Sequence, residues 1–565
     1  MDSIPSGRQL VICCDGTNNN LTGNTSDTNV VKLAQLLAQS SADAGQMVFY
    51  DPGVGNPGEL PGATWADGIS RWAQRVAGLA FGRGVYENMA DCYLFLMRHY
   101  QPGDQIYIFG FSRGAFTARS VAGLVNQFGV LRPHMESMLP TLIHTYFSDR
   151  ELKPVQIAAI AKQASELFAN AASRVVELQF VGVWDTVASV GMGPFSAKIT
   201  ALPTIKDKRF LNVRQALALD EQRAQFKPRL YVDDNGTYET STKKPATIKQ
   251  LWFRGAHCDV GGGFVWGQTG ISDRALCWLV SEAVQCGLAL QYDGVVLDTE
   301  SAVAAAFANA LDAHTTPPVH NQFYTSPLWA LTGMAMRDTQ KVVLDNGDSH
   351  AVQPVEHASV TAHDYRFPQN TVWSKPRSMK GVALGLVAIL FFMLAHGEAL
   401  NASPFAWTLD GQALLARIGD DFAQNAGFAR WQLLWWQGAS LGGVHSHFGS
   451  PLWALVWDTG LIAAYAYVLA WFAVAAFARH VGLRRVAQTP APWLNTLGWA
   501  LPVAVGSDLA ENLASLLVLW CHTRGSDVWA MVLACPMTLF SLAKWAGLLG
   551  VFLLIALPAR QRSQG

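Results

Sequence analysis

Four long apolar stretches in the last third of the chain constrain its fold more than any other feature. They are Gly381–Leu400, Pro451–Ala478, Leu497–Trp520 and Val528–Leu557. As helices rising 1.5 Å per residue, the last three are long enough to cross a hydrocarbon layer of about 30 Å. The first reaches Leu400 only across His396 and Glu398, which leaves a buried or re-entrant helix open there. Basic residues gather in alternate flanks: Lys375, Arg377 and Lys380 before the first stretch, Arg479, Arg484 and Arg485 between the second and third, Arg560 and Arg562 after the fourth. The other two connections are acidic or poor in basic residues. By the positive-inside rule this pattern predicts an integral membrane protein with four spans and both termini in the cytoplasm. A chain that is 50% apolar and only 15% charged, with 20 tryptophans, fits membrane contact. Phe405–Trp436, carrying Trp431, Trp435 and Trp436, reads as an amphipathic helix suited to the interface.

Residues 1–370 follow different physics. Short apolar runs at Gln9–Cys14, Gln46–Tyr50, Gln105–Phe111, Val175–Trp184 and Lys249–Arg254 alternate with helical stretches such as Gly84–Tyr100 and Ala115–Phe128. That alternation predicts an α/β fold whose mostly parallel sheet is covered on both faces. Pro133–Ser173 and Ala188–Ile248 are long for connections inside a compact domain and read as cap insertions. With a formal net charge of −1 there is no basic field to hold nucleic acid. None of the eight cysteines forms a Cys-x-x-Cys pair, so free thiols in a reducing compartment are expected. The N-terminal residues lack the basic and apolar regions of a secretory signal.

The strongest local motif is Gly110-Phe111-Ser112-Arg113-Gly114, placed between a strand-like QIYIF and a helix-like AFTARSVAGLV. A G-x-S-x-G pattern in that context sets its serine on a sharp strand-to-helix turn, with the hydroxyl at a helix N-terminus. The plainer alternative is a glycine-rich turn with a capping serine. A serine hydroxyl needs a base, and the base needs an orienting group. Asp185, ending VVELQFVGVW, and His257, following QLWFRGA, come after the serine in the order acid, then histidine. An oxyanion hole would use the amide of Arg113 and that of Gly16 or Thr17, in the loop after the first strand. Asp15 and Asp259 read as supporting loop residues, with Gly110 and Gly114 allowing close backbone approach. No cofactor and no metal site is expected; His445 and His447 form a lone pair suited to a surface loop.

The blocks CCDGTNNN, GFSRGAF, VWDTVASVG, ALALDEQRAQF and GAHCDVGGGF, in this order, resemble the catalytic domain of the type VI secretion phospholipase effectors, first lipase family, over roughly residues 8–290. The resemblance implies an α/β-hydrolase fold, a triad of Ser112, Asp185 and His257, and phospholipase A-type hydrolysis of membrane lipids. The substrate would then be a lipid in the bilayer. An effector would also meet an immunity protein or a component of the secretion machinery.

Asp508, Glu511 and Asn512 fall inside the third apolar stretch, Lys544 in the fourth and Asp458 early in the second. Ionisable groups there read either as an ion, proton or headgroup site, or as a polar cluster holding a helix bundle together. The first of these motivates a competing function, a transporter or sensor with a regulatory hydrolase-like domain. A third reading keeps the enzyme and makes its substrate a soluble ester.

Overall fold

The computed structural model describes residues 7–16, 26–53, 83–147, 154–187, 189–190, 197–198, 209–231, 247–264, 270–306, 319–343, 349–362, 376–401, 451–481, 490–523 and 527–557. They form two compact units. One covers the described residues through Asn321 and those from Met336 to residue 362; the other comprises Gln322–Ala335 and those from residue 376 onward, the stretch 482–489 aside.

The first unit is built on a seven-stranded, wholly parallel sheet. Its strands are β1 (Gln9–Cys14), β2 (Gln46–Asp51), β3 (Gln105–Phe111), β4 (Leu178–Trp184), β5 (Asn212–Ala218), β6 (Thr247–Phe253) and β7 (Val355–Glu356). Their spatial order is β7-β6-β5-β4-β3-β1-β2. β1 is buried along its length, and apolar after Gln9, because both faces are covered. Leu10, Ile12 and Cys14 pack with α2 (Arg83–His99) and α3 (Arg113–Phe128), while Val11 and Cys13 pack with α1 (Asn29–Ala44) on the opposite face. That period of two is the strand's own geometry. The order reverses at β1, so chain connections leave to opposite sides on either flank of the β1–β3 pair. In open α/β sheets a crevice forms there, beyond the carboxyl ends of the strands.

The described parts of the two stretches expected as cap insertions contribute to the core and the sheet. Pro133–Ser173 holds α4 (Leu139–Phe147) and α5 (Pro154–Phe168), whose Leu142, Ile143, Ala161 and Ala164 join the core beside α3. Ala188–Ile248 contains β5, an internal strand of the sheet. Its Arg214 and Gln215 disguise it in the sequence. Arg214 is tolerated inside because its guanidinium meets Glu282 of α7 (Gly270–Gln285) at 2.5 Å, and Gln215 because it bonds to Arg229 and Thr186.

In the second unit, helices stand where the four apolar stretches are: α8 (Pro376–Asn401), α9 (Pro451–Val481), α10 (Ala500–Thr523) and α11 (Asp527–Ala556). Among the described residues only Leu455–Val481 and Leu539–Ala556 are both long and apolar enough to cross a membrane; the apolar part of α8 is the shorter Lys380–Ala395. Small residues let these helices approach. A Cβ on Gly547 would lie 2.6 Å from the Ala504 nitrogen, and one on Gly385 2.7 Å from Val468. Lys544 bonds to Asp508 at 3.0 Å and Glu511 at 2.7 Å, and the Tyr465 hydroxyl donates to Asp508 at 2.6 Å. This ties α9, α10 and α11 together through one polar cluster. Met334, in the short stretch Gln322–Ala335, donates its amide to Gly498 at 3.0 Å. Phe405–Trp436, His445, His447, Lys375, Arg484, Arg485, Arg560 and Arg562 lie outside the described residues.

Candidate active site

β3 ends at Phe111 and α3 begins at Arg113, so Ser112 alone makes the turn. It does so at φ 58°, ψ −120°, a conformation an L-residue adopts only when its surroundings dictate it. Those surroundings are visible. The Ser112 amide donates to the Trp184 carbonyl at the end of β4, and neither motif glycine has room for a side chain. A Cβ on Gly110 would sit 2.5 Å from the Gly114 carbonyl oxygen, and one on Gly114 would overlap the Cys14 and Asp15 carbonyls at the end of β1. Gly114→Ala is therefore expected to destabilise the protein by about 1–3 kcal/mol, the usual cost of overpacking, read as a lowered thermal unfolding midpoint.

The structure brings Ser112, His257 and Asp185 together. His257 opens the short helix α6 (His257–Gly261) after β6, and its Nε2 lies 2.7 Å from Ser112 Oγ. Its Nδ1 lies 2.5 Å from Asp185 Oδ2. The ring is held between Phe111, at 4.7 Å between centroids, and the edge of Phe226, at 5.0 Å. Gly261 is close enough to Phe111 that no side chain would fit there. Asp185 follows β4 at φ 41° and is wholly buried; its carboxylate also accepts from the Ala218 amide at 2.9 Å.

Arg337, which no sequence motif marks, joins this cluster. Its guanidinium donates to both Asp185 oxygens, at 2.6 and 2.8 Å. An arginine in Met336-Arg337-Asp338, far from every recognised block, carries no local signal of that role. Glu221 and Arg223, inside one of the recognised blocks, form a second buried pair, and Glu221 accepts the His257 amide at 3.2 Å.

Burial alone would raise the Asp185 carboxyl, but Arg337 and His257 outweigh it and hold the group well below the usual carboxylate range. Burial lowers His257, and the Asp185 charge only partly restores it, so the imidazole is neutral near pH 7 and can accept a proton. Burial likewise raises Glu221, yet Arg223 brings it down to about 2.

Arg113 opens α3, where first-turn amides have no acceptor within the helix. The Gly16 amide is turned toward its neighbour, donating to Asp15 Oδ1 at 2.6 Å, and Thr17 lies outside the described residues. Asp15 also accepts from the Thr28 and Tyr50 hydroxyls, which fixes the loop after β1. Asp259 accepts from the Ala256 amide and from His320 Nδ1 and N, which closes the loop after β6. Among the described residues, Cys14, Asp51 and Cys92 place donor atoms within 4.8 Å of one another in the core, where a metal could be held. The Asp51 carboxyl is pushed up to about 7 by burial, and Asn88 already holds one of its oxygens.

Residues 8–282 match the family described as "T6SS, Phospholipase effector Tle1-like, catalytic domain". An uncharacterized protein of Saccharomyces cerevisiae is 32% identical over 228 residues, 39% of this chain and 32% of that protein. The matched region thus spans about a third of the length of that curated relative. A crystal structure of an uncharacterized protein from Pseudomonas aeruginosa is 16% identical, covering 85% of this chain and 68% of that one at a TM-score of 0.31. A structure of the Tle1 effector bound to the VgrG spike from the Type 6 secretion system is 18% identical, covering 46% and 51%, at a TM-score of 0.21.

Proposed function

Starting from residues 8–282 as a Tle1-like phospholipase-effector catalytic domain, we propose that the chain is a membrane-anchored serine hydrolase that cleaves the acyl esters of membrane phospholipids. The observation that carries this reading is the continuous chain of contacts from Ser112 Oγ to His257 Nε2 and from His257 Nδ1 to Asp185. Neutral His257 takes the hydroxyl proton as Ser112 attacks the ester carbonyl, and Asp185 holds the ring in the tautomer that makes Nε2 the acceptor. Charge developing on the carbonyl oxygen falls at the N-terminus of α3, where the Arg113 amide is placed to donate. His257 then gives the proton to the departing lysolipid oxygen. Water, activated by the same imidazole, releases the fatty acid from the acyl-serine.

Membrane anchoring is supported by apolar side chains turned outward on the C-terminal helices. Leu384, Val387, Leu390 and Leu394 on α8, and Leu539, Leu542, Leu549 and Phe552 on α11, are all more than half exposed. Surfaces of this kind are tolerated in lipid and costly in water. A hydrolase fixed to the bilayer meets its substrate at a high effective concentration. In the effector setting of the family, a secretion-machinery component and an immunity protein are the expected protein partners.

The test uses the full chain in phospholipid nanodiscs with a fluorophosphonate probe. Labelling on the Ser112 peptide, together with fatty-acid release that the probe blocks, is the expected result. Absence of both overturns the proposal.

A further inference from the structure

We propose that Arg337 is a positioning residue of the hydrolytic site, holding Asp185 and Phe226 in place and keeping the Asp185–His257 pair free of an extra proton. The inference rests on the serine-hydrolase reading of that site. Arg337 lies beyond the part of the chain matched to the family, residues 8–282. It is nevertheless buried in the site, and every one of its five N–H donors has an acceptor there. Nε donates to the Phe226 carbonyl at 3.1 Å. Nη1 donates to Asp185 Oδ1 and the Ala218 carbonyl, both at 2.6 Å. Nη2 donates to Asp185 Oδ2 at 2.8 Å and the Phe226 carbonyl at 2.6 Å. One planar fork therefore fixes the acid that orients His257 and the backbone that carries a ring packed on His257.

Charge counting adds a second role. The charged groups facing the pair are Arg337 beside Asp185, and Glu221 and Arg223 beside His257, with Cys258 and Asp259 next to it on α6. Glu221 and Arg223 neutralise each other, and Asp259 is bonded to His320. Asp185 and Arg337 neutralise each other in the same way, leaving His257 neutral. Without Arg337 the buried site carries one uncompensated negative charge, which a proton on the Asp185–His257 pair removes. The pair then takes up that proton at higher pH, whichever of the two groups carries it.

Turnover of a soluble short-chain ester by the full-length Arg337→Gln and Arg337→Lys variants, followed across pH, tests this. In Arg337→Gln the acid limb of kcat/KM is expected to move up by about one pH unit or more, as for loss of an adjacent opposite charge. Arg337→Lys keeps the charge but not the fork, so its acid limb stays in place while kcat falls. An Arg337→Gln profile lowered by one factor at every pH, with the limb unmoved, overturns the electrostatic role. If the glutamine variant does not fold, the lysine variant decides: unchanged kcat and KM would overturn the positioning role. A wild-type chain without esterase activity would instead overturn the functional reading on which the inference rests.

Discussion

Replacing Ser112 by alanine is expected to reduce turnover by a factor on the order of 10⁶, the loss seen when a triad nucleophile is removed. The substitution is a clean one. Ser112 is 8% exposed and its uncharged hydroxyl is bonded to His257, so removing it leaves no buried charge behind. The strained backbone at φ 58° is imposed by β3, β4 and α3, and alanine bears it about as well as serine. Unfolding midpoints of the two proteins should therefore nearly coincide, separating chemistry from stability. His257→Ala should cost a comparable factor, and the double variant no more than either single one, because nucleophile and base act as one unit. Residual catalysis would reflect substrate binding and the amides at the start of α3. A Ser112→Ala protein within tenfold of wild type would mean that the hydrolysis arises elsewhere.

How much of this was legible beforehand differs between parts of the molecule for physical reasons. β1 and β3 announce themselves because strands covered on both faces are largely apolar, and each is so after its leading glutamine, Gln9 or Gln105. β5 does not, because Arg214 and Gln215 are satisfied by residues distant in sequence, and a local pattern cannot show that Glu282 will be waiting. The same asymmetry holds at the candidate site. Ser112 is legible because the turn needs glycine on both sides, a purely local demand. Asp185 and His257 are legible as candidates through their order and their places at strand ends. Arg337 and His320 reach the site from outside every recognised motif, and only the folded chain reveals them. In the C-terminal part, helix positions follow directly from apolar length. Whether each helix spans does not, because α10 carries Asp508 and Glu511 and α8 is apolar over only part of its length.

Replacing Lys544 by methionine is expected to destabilise the helical unit by about 3–5 kcal/mol, the cost of breaking a buried ion pair from one side. Lys544 is 4% exposed, and it contacts two carboxylates, Asp508 at 3.0 Å and Glu511 at 2.7 Å. Without the ammonium both acids stay inside an apolar bundle, with the Tyr465 hydroxyl as the remaining donor to Asp508. The charges must then take up protons, or the helices must part to admit water. Neutralising all three groups together, as Lys544→Met, Asp508→Asn and Glu511→Gln, removes the imbalance and should recover most of the lost stability. Thermal unfolding in detergent, followed by helical content, separates the two variants, and esterase turnover of a soluble substrate can be read on the same samples. A large fall in the single variant with recovery in the triple one marks the cluster as the fastening of α9, α10 and α11. A single variant as stable as wild type would mean that the bundle does not depend on the pair. The cost of keeping three ionisable groups there would then need another return, and binding of an ion or a proton becomes the better account of the cluster.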